Sequence, residues 1–515
     1  MDVVKTAVAP ADVAHIKRRS RGGCIDCKKA KVKCDEARPT CGTCARRRHV
    51  SAVAAARRVL SFLVMQADKV RRYFFGGEPG SAVYGALYQL LSSSKSGRTS
   101  IIPTTSRDAS AQSLLAPSPR SLSSIPPGMI RAADEPGVKI YFDRHPFDLV
   151  INSEFVEEMN ALTLLVLQRD PVAIGNTLAA IGQLYLDTSG SGSLVSPLTR
   201  RARTFARLRS MEDPSSELEQ VLVMVLGLAA MELVHTKFGQ EQHSIPILIG
   251  YTASVIKKYI SGGRALSSVA KYFVRAFARQ DMVLSLVGMR RPFIPTAAWL
   301  DQDSRNLVDR LMGYTATLMP LLEEVCALAE DIRCGNLGMN PGAYGDLSEE
   351  NPVLSAQIYL ERARDLSARI TAWRPVPNRA VSSQISRSCL AQAYACRSAA
   401  LLYLYRLLNP PGSSSDADRV ALGMACEVLA HLSAPPEELK ASLWPAFMAA
   451  CELETADDRA VAIEVFDGIY RSRKTATCLH TKRFCIERVW KTRDAGGDWN
   501  WMNLVQRYPG ECIPI

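Results

Sequence analysis

The chain has 515 residues, 47% of them hydrophobic and 22% charged, with a formal net charge of +12. That composition is ordinary for globular protein and allows two or three domains with a sizeable buried core. No membrane-spanning helix is expected, because the longest apolar run, Val221 to Ala230, is too short to cross a bilayer.

The charge is unevenly placed. Residues 1–50 hold 13 Lys and Arg against 5 Asp and Glu, which leaves only +4 over the remaining 465 residues. A short basic head on a near-neutral body points to a polyanion-binding module joined to a different domain. The fourteen cysteines divide in the same way: five lie between Cys24 and Cys44, and nine are scattered from Cys326 to Cys512. Met1 to Ala14 carries no continuous apolar stretch of the kind a secretion signal needs. A reducing intracellular compartment is therefore expected, where closely spaced cysteines argue for metal rather than disulfides.

In chain order, residues 1–16 read as disordered and 17–51 as the basic cysteine block. A helix is predicted over about 52–75. There Val53, Ala56, Leu60, Leu63, Ala67, Val70 and Phe74 keep an alternating three-and-four spacing, which is a heptad seam. Val59, Phe62, Val64 and Met65 widen the apolar face beyond a seam, so a docked helix is favoured over a dimerisation coil. Residues 92–130 hold 12 serines and 5 prolines, a composition that cannot bury enough surface to fold. A disordered linker is expected over 76–138. From residue 139 to 515 the pattern is amphipathic helix with few strand signals, near 155–187, 215–236, 266–288, 303–333, 353–373, 388–408 and 417–432. In the stretch 388–408, Leu390, Tyr394, Leu401, Leu404 and Leu408 share a face before Asn409-Pro410-Pro411 stops the helix. The expected fold class is mainly α: a small N-terminal zinc-cluster domain, a linker and a large all-helical regulatory domain.

The chemistry concentrates in Cys24-Ile-Asp-Cys27-Lys-Lys-Ala-Lys-Val-Lys-Cys34-Asp-Glu-Ala-Arg-Pro-Thr-Cys41-Gly-Thr-Cys44. Two Cys-x-x-Cys pairs present paired thiolates on tight turns, as a tetrahedral zinc centre requires. Lys28, Lys31 and Lys33 project from a short helix between Cys27 and Cys34, and Arg46 and Arg47 extend the basic surface. A metal-stapled cationic helix of this size suits the DNA major groove, where lysine donates to guanine O6 and N7. Other readings stay open. Cys24, Cys27, Cys41 and Cys44 could form a one-zinc ribbon, and the lysines could be a solvated face or an import signal. A redox Cys-x-x-Cys would want a βαβ setting that neither pair has.

The block resembles the fungal zinc binuclear cluster family, whose six cysteines hold two zinc ions in the pattern Cys-x2-Cys-x6-Cys-x5–12-Cys-x2-Cys-x6–8-Cys. The likeness includes Asp35 after the third cysteine and Pro39 in the turn before the fourth. It implies that Cys24 and Cys41 bridge both zincs, that Cys27 and Cys34 complete the first centre, and that Cys44 belongs to the second. It also implies that Lys31 reads bases on CGG-type triplets while Lys28 and Lys33 hold phosphate. At the sixth ligand position the chain has Ser51, a poor zinc ligand beside thiolates; His49 is the alternative donor. The segment Ser51 to Gly97 lacks the polar character usual after such clusters, which is what an altered exon join would leave.

Further along, Tyr141-Phe142-Asp143-Arg144-His145-Pro146-Phe147 and Leu443-Trp444-Pro445-Ala446-Phe447-Met448-Ala449-Ala450-Cys451-Glu452 stand out. So do Val489-Trp490-Lys491-Thr492-Arg493-Asp494, Trp499, Trp501 and Ile513-Pro514-Ile515. In this order behind a zinc cluster they resemble the second class of fungal-specific transcription factor domain. Trp444 and Trp490 are expected to be core anchors, and Cys451 a packing residue rather than a nucleophile.

No His-Glu-x-x-His, Gly-x-Ser-x-Gly or phosphate-cradling glycine loop occurs, and no two of the seven histidines stand four apart. An enzyme is not expected. The resemblance implies a nuclear regulator of RNA polymerase II genes that binds zinc and double-stranded DNA, contacts co-regulators and can form a homodimer. Ser51 motivates an alternative, a helical regulatory protein whose degenerate cluster no longer binds DNA. A helical enzyme with a zinc-binding appendage would need a deep pocket with perturbed carboxylates or histidines.

Overall fold

Helices begin where the sequence offers a cap and end where it offers a breaker. In the computed structural model the described residues are 128–187, 195–234, 244–337, 352–378, 381–433, 435 and 438–515. The cysteine block, the helix expected over 52–75 and all but the last residues of the expected linker lie outside them. By its internal contacts the chain divides into a unit of residues 1–62 with 334–349 and a second of residues 63–333 with 350–515. Nearly all the described residues belong to the second unit.

The described elements are α1 (Glu135–Leu149), α2 (Val156–Arg169), α3 (Pro171–Asp187), α4 (Val195–Ser210), α5 (Leu218–Val234), α6 (Ile245–Ser261) and α7 (Ser268–Gly288). Next come α8 (Gln302–Asn306), α9 (Met319–Leu337), α10 (Pro352–Ala372), α11 (Ser383–Leu408), α12 (Ser415–His431) and α13 (Leu443–Ala450). The chain finishes with α14 (Ala456–Ser472), α15 (Ala476–Phe484), a wider π turn at Cys485–Trp490 leading into α16 (Lys491–Asp494), and α17 (Trp501–Arg507). Among the described residues there is no strand, only an isolated bridge between Asp309 and Gly313. The all-helical body is as the periodicity predicted.

Two predicted stretches prove to be interrupted. The 155–187 stretch breaks at Asp170, whose Oδ1 accepts the Ala173 N–H at 3.0 Å, and Pro171 starts the next helix at a position where its missing N–H costs nothing. The 303–333 stretch holds only the short α8, then an irregular turn, then α9. Asp309 explains the turn: its Oδ1 accepts the N–H groups of Leu311 and Met312 at 2.8 and 3.0 Å. Gly313 completes it at φ +55°, a left-handed backbone that favours glycine. Elsewhere Ser267, Ser382, Ser414 and Thr455 cap α7, α11, α12 and α14 through their side-chain oxygens.

The core face of α11 also differs from the apolar stripe. Leu390, Tyr394 and Leu401 are only half-buried, whereas Cys389, Ala393, Ala395 and Ala399 are buried. Leu404 and Leu408 of the stripe are buried as expected, together with Leu402, Tyr403 and Leu407. In the first half of the helix small side chains form the inner face and let α10, α12 and α13 approach closely. α5, apolar all round, is the helix that α2, α3, α6 and α7 surround. That accounts for the long run at Val221 to Ala230 without any membrane. No helix among the described residues is long and apolar enough to cross one.

Candidate functional site

The tail motifs, far apart in sequence, assemble in one place. Every residue of α13 is buried. Its Ala450 carbonyl accepts the Trp490 Nε1–H at 2.7 Å, and Trp501 stands edge-on to Phe447 at 5.4 Å between ring centres. Ile513 and Ile515 are buried at the end of the chain, with the Ile515 carbonyl accepting from Thr477 Oγ1 at 3.4 Å. Trp444 and Trp490 are 3% and 5% exposed, so both are core anchors as expected.

Beneath them lies a buried ion pair. Both Arg406 and Glu452 have side chains with 0% exposure. Arg406 Nε and one terminal amine donate to Glu452 Oε2, and the other amine reaches Asp418 Oδ1 at 2.8 Å. Arg493 donates to the Glu452 carbonyl at 2.8 Å and covers the Trp499 ring at 4.2 Å. Cys451 next door is fully buried, which pushes its thiol well above the usual range. A thiol held protonated this way is no nucleophile, in agreement with the packing role expected for it.

The early motif Tyr141–Phe147 has a different place. Tyr141 and His145 face an internal cavity walled by α1, α2, α3, α5 and α7, together with the Asp309–Gly313 turn and Arg473 at the end of α14. Burial and then the Arg473 charge hold His145 down to about 3, so it lines the wall as a neutral ring with Nδ1 3.1 Å from Tyr185 Oη. The turn delivers Arg310, which donates to the Tyr272 carbonyl at 2.9 Å and lies 3.5 Å from the centre of the Tyr272 ring. Arg279 and Arg473 complete the cationic part of the lining. Sequence reasoning missed these arginines, because they are far apart along the chain and only the fold gathers them. Their sequence signal is faint: Arg279 lies inside an apolar-rich helix, Arg310 in a turn and Arg473 just past the end of α14.

Comparison with family models decides what kind of protein carries this body. The model of the fungal specific transcription factor domain matches residues 141–510, more than two thirds of the chain. The chain belongs to that family. The model of the fungal Zn(2)-Cys(6) binuclear cluster domain matches residues 22–51 ahead of it. Comparison with curated proteins and with solved structures found no match. This member of the fungal transcription factors is therefore a zinc-binding, DNA-binding regulator of transcription, from families that are not enzymes. The cavity contains a perturbed histidine, but neither a carboxylate nor a thiol joins it in the lining.

The zinc-ligand candidates Cys24, Cys27, Cys34, Cys41, Cys44 and His49, and the DNA-contact candidates Lys28, Lys31, Lys33, Arg46 and Arg47, lie outside the described residues. Among the described residues no group of His, Cys, Asp and Glu side chains could hold a metal ion.

Proposed function

We propose that this transcription factor is a nuclear, sequence-specific regulator of RNA polymerase II genes whose basic zinc-stapled helix reads CGG-type triplets in the major groove. The observation that carries the reading is the Cys27–Cys34 interval, with Lys28, Lys31 and Lys33 between two thiolates of a matched cluster domain. Fungal zinc cluster factors are generally nuclear, which supports the location. The work is divided along the chain: the cluster over 17–51, a docked helix or dimer seam over 52–75, a linker from 76 and then the regulatory domain to 515. That domain begins earlier than the expected residue 139, since α1 starts at Glu135 and Val138 is already buried in the core. That domain would contact co-regulators.

The donor set fits zinc unevenly. Cys24, Cys27, Cys34 and Cys41 supply four thiolates for one tetrahedral centre. Cys44 with the bridging Cys24 and Cys41 supplies three for a second, and Ser51 stands where the fourth belongs. His49 or a water would have to close that centre. Zinc there supplies folding free energy to the head rather than chemistry.

The test uses the full-length protein, measuring zinc per chain and affinity for a CGG-containing duplex across a salt series. Zinc near zero together with no salt-dependent binding overturns the reading. Where binding is seen, Lys31→Ala should relax sequence preference, at a cost of about 1–3 kcal/mol on the preferred site. Lys28→Ala should weaken all sequences alike and reduce the salt slope by about one.

Ser51 favours a second reading, a regulator whose head has lost DNA binding and acts through partners. Ser51→Cys separates the two. A gain in zinc content and DNA affinity assigns the defect to the missing thiol; unchanged values show that it was not the defect.

A further inference from the structure

The cavity behind Tyr141 and His145 poses an electrostatic problem that the fold leaves unsolved. Arg279 is 6% exposed and Arg473 is 5% exposed. Both line the cavity, and neither guanidinium has a hydrogen-bond or ion-pair partner among the described residues; Arg473 Nε is itself buried and unpaired. Elsewhere in this domain buried arginines are answered: Arg406 by Glu452 and Asp418, Arg275 by Asp309, Arg200 by Asp134. Burying an unpaired charge is costly, and two such charges near each other compound the cost. Burial, followed by repulsion from Arg279, pushes Arg473 down to about 9, and burial lowers Arg279 as well; the attraction of Asp148 on Arg473 and of Asp309 on Arg279 opposes this only in part. Arg310 brings a third cation to the wall, its Nε also without a partner.

The remaining lining is mostly aliphatic and aromatic, with Leu178, Ile181, Val223, Leu226 and Phe273 among it. A bare inorganic anion would answer the arginines and leave that wall uncovered. The space bounds the ligand too. The cavity volume is about 50 Å³, against about 10–15 Å³ for one water, which is room for roughly three to five waters. Bonded atoms lie closer together than separate waters, so an anion of about four to six non-hydrogen atoms fits.

We propose that this cavity is a binding site for a short-chain aliphatic carboxylate, with its anionic end between Arg279 and Arg473 and its alkyl end against the apolar wall. A guanidinium pairs with a carboxylate in a planar, two-point fashion, and an alkyl carboxylate, unlike inorganic phosphate, also carries a chain to cover the apolar wall. Neutral His145 and Tyr141 add no competing charge. The site is independent of the DNA-binding reading, since every residue in it belongs to the helical body.

The test is a calorimetric titration and a thermal melt of the full-length protein with sodium butyrate, at constant ionic strength, against chloride and phosphate. Butyrate is expected to bind and to raise the melting temperature by several degrees at saturating concentration. Affinity should climb roughly fourfold per methylene from acetate to butyrate, as apolar surface is buried, and collapse at octanoate, which exceeds the space. Arg473→Met and Arg279→Met should each abolish the response. Arg473→Met should also melt no lower than wild type without ligand, because it removes an unpaired buried charge. Absence of a butyrate response in the wild type, an equal response to chloride or phosphate, or flat affinity across chain length overturns the proposal. So does a butyrate response retained by either variant. The chain-length series needs no variant and stands even if both arginine replacements fail to fold.

Discussion

Arg406 and Glu452 show how one pair of residues can decide the stability of a region. Both are sealed from water at 0% exposure, so removing one partner leaves the other buried without its counter-charge. Arg406→Leu is expected to cost about 3–5 kcal/mol in denaturant unfolding. Replacing Glu452 by Leu in the same chain should recover part of that loss, because no charge on the α13 side is then stranded. Of this pair only Glu452 stood out in the sequence, as the last residue of the Leu443–Glu452 motif. Arg406 looked like one more arginine near a helix end. His145 makes a second residue-scale case. Its folded value is held down to about 3 against an ordinary 6.5. Between those values the unfolded chain takes up a proton that the folded chain refuses. Its contribution is therefore complete above about pH 6.5 and is lost as pH falls toward 3, at about 1.4 kcal/mol per pH unit. His145→Gln should flatten the stability profile across that window and leave it unchanged above pH 7.

At the scale of elements, the crossing of α1 and α3 depends on glycine. A Cβ on Gly182 would overlap the Gly137 carbonyl oxygen, and one on Gly137 would lie 2.7 Å from the Ala179 carbonyl oxygen. Backbone, not a movable side chain, occupies the space. Gly182→Ala should force the helices apart and lower stability by about 1–3 kcal/mol, read as a fall in melting temperature, even though alanine is the better helix former. Periodicity found most of the long helices because an amphipathic stripe is a local property. It ran through Asp170-Pro171 and across residues 307–318, where a side-chain cap and a left-handed glycine redirect the chain. On α11 it found Leu404 and Leu408, which are buried, but placed Leu390, Tyr394 and Leu401 on a face where Cys389, Ala393, Ala395 and Ala399 are buried instead. Close approach between helices rewards small residues, and no stripe of large ones reveals it.

For the whole molecule, head and body use different sources of stability. The body has one continuous apolar core from Val138 to Ile515 and no metal-binding group among its described residues. The head, by composition, depends on thiolates and zinc. Removing zinc with a chelator should therefore abolish DNA binding while leaving the far-UV helical signal and the main melting transition in place. A collapse of both together would show that the body needs the metal too.

What the sequence determined by itself was chemistry written in adjacent residues: the cysteine spacing, the lysines between Cys27 and Cys34, the serine seven residues after Cys44, and the helical character of the body. These signals span a few turns of chain, so no fold is needed to read them. The tertiary structure decided what lies between distant segments. It joined Ala450 to Trp490 and Arg406 to Glu452, and it placed Arg279, Arg310 and Arg473 around one cavity with Tyr141 and His145. Charges from such separate stretches converge only when helices pack, and among the described residues packing pairs Arg200, Arg275 and Arg406 with carboxylates while leaving Arg279, Arg310 and Arg473 without one.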